Sequence, residues 1–192
     1  MKAKCLKCYA KTLLFQKLPC YKGNWIENGP QCPFEDNMDK LLTPICRLSG
    51  MMTVTAVHDG DTISVLDITD GHKYTIRLTR IDAPELKQPY GKEARIYLEN
   101  LIKDKSVRVE LVQGDFHGPR IDCEVFLGDM NINDQLVRTG NAWWYEHFAP
   151  QDLNMLKCQT IAQACKYGLW KDPKPIAPWD FRALNKVKTR KA

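Results

Sequence analysis

From Met52 onward the apolar positions recur with a period of two, in separate runs divided by turn formers. Val54 and Ala56 precede the turn His58-Asp59-Gly60-Asp61, and Ile63 and Val65 follow it, which is the pattern of a hairpin. Tyr74, Ile76 and Leu78 continue the alternation as a third strand, so the first three strands form a meander. The period then changes. Over Lys92 to Lys103, the residues Ala94, Leu98, Leu101 and Ile102 fall at helical spacing. Alternation returns in Val107, Val109, Leu111 and, after a Gly/Pro turn, in Cys123, Val125, Leu127, giving a fourth and a fifth strand. Asn133 to Thr139 reads as a short helix stopped by Gly140. Asp152 to Tyr167 reads as a longer one, with Leu156, Ile161 and Ala164 inside and Gly168 as its stop. Pro173, Pro175 and Pro178 argue against helix beyond that point.

Three strands, a helix, two strands and two helices predict an α+β, mainly β fold. A five-stranded Greek-key barrel of the OB type with about three packed helices accommodates that order, although patterning alone leaves other α+β topologies open. Residues 1–50 differ in character. They hold no sustained period, are broken by Pro19, Gly23, Gly29, Pro30, Pro33 and Pro44, and read as a loosely ordered appendage. The expected organisation is therefore a basic, Cys-containing segment over 1–50, a barrel domain over 51–181 and a basic tail over 182–192.

Composition narrows the function classes. With 192 residues, 44% of them hydrophobic, the chain matches neither collagen-like nor disordered sequences, and no apolar run approaches the roughly 20 residues of a spanning helix. The Lys-rich start resembles the first part of a signal peptide, but Thr12 to Phe15 is too short an apolar stretch to complete one. Five of the 8 cysteines lie in the first 50 residues. Cys5-x-x-Cys8 with Cys20 and Cys32 suggests structural zinc only weakly, because the second pair lacks the C-x2-C spacing; disulfides and free thiols are alternatives. Cys158 and Cys165, seven apart, are expected as buried thiols on one face of the last helix.

The net charge of +5 is unevenly placed. Residues 51–181 hold 15 Lys/Arg against 19 Asp/Glu, and the excess of positive charge lies at the two ends. Basic ends suit a polyanion, while an acidic middle suggests carboxylates gathered for another purpose. Asp61, at the end of the first turn, and Asp82 and Glu85, in Arg77-Leu78-Thr79-Arg80-Ile81-Asp82-Ala83-Pro84-Glu85, would converge if the meander sets that turn beside the third strand's end. Crowded carboxylates raise one another's pKa unless a cation neutralises them, and hard oxygen donors suit Ca²⁺ or Mg²⁺. An arginine such as Arg77 belongs in that company if a phosphodiester lies between it and the cation.

His58-Asp59-Gly60-Asp61-Thr62, Arg77-Leu78-x-x-Ile81-Asp82-Ala83-Pro84-Glu85, Gln88-Pro89-Tyr90-Gly91, Asn133-x-x-Leu136-Val137-x-x-Gly140-x-Ala142-Trp143 and Gly168-Leu169-Trp170 resemble, in order, the successive blocks of the staphylococcal nuclease family. The resemblance covers about residues 52–181. It implies an OB-fold barrel and Ca²⁺-dependent hydrolysis of DNA and RNA, with little sequence preference and 3′-phosphate products. It further implies that Asp61 and Asp82 ligate one Ca²⁺, that Ala83 adds its main-chain carbonyl, that Glu85 orients or deprotonates the attacking water, and that Arg77 binds the phosphate. DNA and RNA are then the partners, and a monomer is expected.

One block departs from the pattern. Asp115-Phe116-His117-Gly118-Pro119-Arg120 stands where the family usually has Asp-x-Tyr-Gly-Arg, whose arginine is the second phosphate-binding cation. If Pro119 is an insertion at the loop tip, Arg120 keeps that role and Val125 and Phe126 stay in register, because a loop absorbs a residue more readily than a strand. His117 replaces the usual tyrosine and could donate to a phosphate. The competing reading is a catalytically weak OB-fold module that binds nucleic acid or a protein. Trp143, Trp144, Tyr145 and Phe148 are expected mainly as packing at the barrel end, and Trp170 and Trp179 as a clamp on the C-terminal segment.

Overall fold

Five long strands close on themselves. A computed structural model describes residues 49–69, 71–117 and 120–189; nearly all of the Cys-containing segment over 1–50, with its zinc reading, lies outside them. Strand β1 (Gly50–Val57) pairs antiparallel with β2 (Thr62–Asp67), and β2 with β3 (Lys73–Leu78). On its other side β1 pairs with β5 (Ser106–His117), which pairs with β6 (Arg120–Leu127). Parallel pairing of β3 with β6, with Arg77 opposite Asp122, closes the barrel. This is the Greek-key OB arrangement that the alternation accommodates and the family resemblance implies.

The inward positions are those of period two: Met52, Val54, Ile63, Val65, Ile76, Leu78, Val107, Val109, Cys123 and Val125 are buried in one core. Helix α1 (Gly91–Ile102) adds Ala94, Leu98 and Ile102, which are fully buried. Short strands β4 (Ile81–Asp82) and β8 (Trp143–Trp144) pair antiparallel at one end of the barrel, and β7 (Met130–Asn131) extends β6. Helix α2 (Ile132–Arg138) starts on Asn131, whose side chain accepts from the Asp134 amide. Asn133, fully buried, joins elements: it accepts from the Val125 amide and donates to the Thr79 and Cys123 carbonyls.

Two expectations about helices are corrected. In α3 (Leu153–Ala164) the buried residues are Met155, Cys158 and Ala162, whereas Leu156 and Ala164 are exposed and Ile161 is half-buried. The helix, capped by Asp152, turns the Met155 face inward, one position away from the predicted one, and ends at Cys165, which is exposed rather than buried. The second correction concerns the C-terminal segment, which is helical as α4 (Pro178–Thr189). Pro178 is its first residue, where a missing N–H leaves no intrahelical bond unmade. The clamp on this segment is as expected: Trp143 packs against Trp170 and Trp179, with ring centroids 4.4 and 5.7 Å apart.

Candidate active site

The β1–β2 turn sets the first carboxylate. Asp59 Oδ1 accepts from the Asp61 amide at 3.0 Å, and the Leu78 amide donates to the Asp61 carbonyl at 2.8 Å, which ties the turn to the end of β3. Thr62 lies opposite Arg77 in the β2–β3 ladder. Ile76 and Leu78 point into the core, so alternation sends Arg77 outward, to the same end. Arg80, in the left-handed conformation at φ 65, turns the chain from β3 into β4. Its guanidinium is held by Glu124, Asp134 and Asp152, which fixes the turn against β6, α2 and the start of α3. Asp82 follows on β4, opposite Trp143.

The arrangement these elements create is compact and charged. Asp61 and Asp82 are 3% and 1% exposed. Arg77 bridges them, Nη1 donating to Asp61 Oδ1 at 3.1 Å and Nη2 to Asp82 Oδ1 at 2.9 Å. The Ala83 amide donates to Asp61 Oδ2 at 2.9 Å. Glu85 sits on the following turn, and Gln88 sets that turn: its Oε1 accepts from the Glu85 amide, its own amide donates to the Glu85 carbonyl, and its Nε2 donates to the Ile176 carbonyl. A pocket of about 390 Å³ opens over Asp61, Arg77, Asp82, Ala83 and Glu85, with Asp59, Asp122, Tyr145 and Phe148 on its rim.

Burial pushes Asp61 up to about 7, against the pull of Arg77 and with the repulsion of Asp59 and Asp82. A native carboxyl that keeps its proton to about pH 7, while the unfolded one loses it near 3.8, withdraws stability as pH rises through that window. We expect the melting temperature in chelator to fall between pH 4 and pH 7, and Asp61→Asn to flatten that fall; equal slopes in the two proteins would refute the assignment.

The donor set fits a hard divalent cation. The pocket lining holds Asp59, Asp61, Asp82, Glu85 and Asp122 against Arg77, Arg80 and Arg182, an excess of carboxylates, and a carboxyl driven towards its neutral form by burial is one that a cation returns to the charged form. Among the described residues no group of three His, Cys, Asp or Glu side chains is drawn together closely enough to hold a metal unaided. The reason is visible in the contacts: Arg77 lies between Asp61 and Asp82, and Arg182 of α4 lies between Asp82 and Glu85.

A family profile described as "Staphylococcal nuclease homologue" matches residues 75–172. The chain belongs to the staphylococcal nuclease family. An uncharacterized endonuclease of Escherichia coli is 41% identical over 130 residues, covering 67% of this chain and 82% of the relative. An uncharacterized endonuclease of Haemophilus influenzae is 34% identical over 148 residues, covering 77% and 81%. A probable staphylococcal-like nuclease of Oryza sativa subsp. japonica is 39% identical over 112 residues, which is 57% of this chain but 29% of the plant protein. Family and relatives together support a nuclease, and hence a hydrolase.

Of the family residues expected from the sequence, the structure brings Asp61, Arg77, Asp82, Ala83 and Glu85 into one pocket. The backbones of His117 and Arg120 pair at the end of the β5–β6 hairpin, with Gly118 and Pro119 outside the described residues. The ladder is regular from Arg108–Phe126 to Leu111–Cys123, then shifts before Phe116–Ile121. Between those pairs β5 advances five residues and β6 two, and Val125 and Phe126 lie opposite Val109 and Arg108. Arg120 precedes by two residues the Asp122 that lies opposite Arg77. Sequence reasoning places Gln88 in a family block without its role in setting the Glu85 turn, and it misses Arg182 altogether as a site residue. It assigns Arg182 to the basic tail over 182–192, although Trp179 and Arg182 stand at helical spacing, a signal that one side of a helix faces the barrel.

Proposed function

We propose that the chain is a Ca²⁺-dependent phosphodiesterase that hydrolyses DNA and RNA with little sequence preference, leaving 3′-phosphate ends. The observation that carries this reading is the Arg77 guanidinium held between two buried aspartates, with Glu85 on the same pocket wall. Asp61 and Asp82 would hold the cation, with the Ala83 carbonyl, and the cation would supply Lewis-acid stabilisation of charge on the phosphate. Arg77 donates to a non-bridging phosphate oxygen, and its pairing with two aspartates keeps it aimed before substrate arrives. Glu85 orients the attacking water and takes its proton, so that the bond from phosphorus to the 5′ oxygen breaks and the phosphate stays on the 3′ side. Nothing in this chemistry touches a base edge, which is why sequence preference is slight.

Single-stranded DNA incubated with the purified protein in Ca²⁺ and in chelator tests the reading, with Asp82→Ala as the control and the ends analysed for 3′-phosphate. Ca²⁺-dependent cleavage, lost in the control, is expected. Retained DNA binding without cleavage would replace it with the binding-module reading.

Arg120 is assigned the second phosphate contact, with His117 beside it. Arg120→Ala should lower kcat by roughly 10²–10³-fold, the usual loss for one preorganised donor, and leave Ca²⁺ affinity near wild type. Turnover equal to wild type would take Arg120 off the phosphate.

A further inference from the structure

Arg182 reaches the site from α4, far along the chain from the residues it touches. Its Nη1 donates to Asp82 Oδ1 at 3.1 Å and to Glu85 Oε1 at 2.9 Å, and its Nη2 donates to Asp82 Oδ2 at 2.7 Å. With Arg77 on Oδ1 as well, each Asp82 oxygen accepts from a guanidinium. This placement is held by two contacts on the N-terminal side of Arg182. Gln88 Nε2 fixes Ile176 at 2.6 Å, and Trp179 packs on Trp143 and Tyr145 one turn before Arg182.

A divalent cation on Asp82 Oδ2 would have to share that oxygen with a guanidinium nitrogen 2.7 Å from it, and two positive charges on one carboxylate oxygen repel one another. Arg182 nevertheless has somewhere to go. Its side chain is 38% exposed, and it stands where the pocket meets a second depression lined by Lys87 and Lys186 as well as Glu85. We propose that Arg182 and a divalent cation exclude one another from Asp82, so that Arg182 is an exchangeable arm, released to the substrate strand in the adjoining groove when the cation binds. The arm neutralises Asp82 and Glu85 in the absence of the cation and keeps a positive charge at the pocket mouth in its presence. Arg182 is thus a positioning and substrate-binding residue distinct from Arg77 and Arg120. The substrate half of the inference rests on the nuclease reading; the exclusion half does not.

The test is a Ca²⁺ titration by calorimetry of the full chain and of Arg182→Ala, without nucleic acid, followed by steady-state cleavage of single-stranded DNA at saturating Ca²⁺. Removing the competitor should tighten Ca²⁺ binding about five- to tenfold. The variant should also raise KM for DNA about fivefold with a smaller change in kcat, as expected for lost uniform binding. Arg182→Lys keeps the charge but loses the two-pronged contact, and should fall between on both measures. Ca²⁺ affinity equal to or weaker than wild type overturns the proposal, as does an unchanged KM. If the wild type cleaves nothing, the nuclease reading fails, while the Ca²⁺ titration still decides the exclusion. Tryptophan fluorescence near that of the wild type verifies that α4 stays docked in the variants, because Trp179 reports its contact with Trp143.

Discussion

Glu85→Gln should lower kcat on single-stranded DNA by about 10²–10⁴-fold, the contribution typical of a positioned general base. Glutamine keeps the size of the side chain and an oxygen that can accept from Arg182 Nη1, so the turn and its partners stay in place. What is lost is the capacity to take a proton from water. Calorimetry should find Ca²⁺ affinity little changed, since Asp61 and Asp82, the proposed ligands, are untouched, and this separates loss of base from loss of metal. Wild-type turnover in the variant would remove Glu85 from the chemistry.

Gly91→Ala is expected to damage both the fold and the site through a single methyl group. A Cβ built at Gly91 stands 1.9 Å from the Glu85 carbonyl oxygen, 2.6 Å from the Glu85 carbonyl carbon and 3.1 Å from Leu86 Cα. These are backbone atoms, so no side chain can swing away to make room. Gly91 opens α1, which cannot retreat, because Ala94, Leu98 and Ile102 anchor it in the core. The strain therefore falls on the turn that carries Glu85. We expect a loss of about 1–3 kcal/mol in urea unfolding, as for other overpacked sites. Turnover should drop on the order of 10²-fold, because displacement of a reacting group by about 1 Å costs that much. Gly50→Ala, where nothing lies within 4 Å, is the matched control. A Gly91→Ala protein with normal stability and turnover would show that the turn is not set by this close approach.

The site residues that could be read from the sequence are those whose geometry is local. Asp61 closes a two-strand turn, and Arg77, Asp82 and Glu85 lie within nine residues on β3, on β4 and on the turn that follows it. Alternation sends Arg77 outward between Ile76 and Leu78, whereas the roles of the carboxylates are legible only through the family resemblance. Arg182 was illegible for the opposite reason. Its partners lie 97 and 100 residues earlier, and the three prolines before it look like a barrier to helix. Only a proline at the first helical position escapes that rule. The inward face of α3 was missed by one position because Leu156 and Met155 are equally apolar, and the cap at Asp152 that sets the rotation is a matter of backbone geometry. Gln88 was named as part of a family block, yet its hydrogen bonds to Glu85 and Ile176 join segments that spacing cannot relate.

The parallel pairing of β3 with β6 bears on how the protein is made. Arg77, already paired with Thr62 in the β2–β3 ladder, meets Asp122 only when β6 closes the barrel, and Arg182 arrives 60 residues after that. Contacts so distant along the chain are slow to form, since each closes a long loop before it is rewarded. While residues 61–85 are emerging from the ribosome the carboxylates exist, but the barrel that aligns them does not. The pocket is thus assembled late, after β6 has been synthesised, and a nascent chain surrounded by RNA carries the ingredients of a nuclease without its geometry.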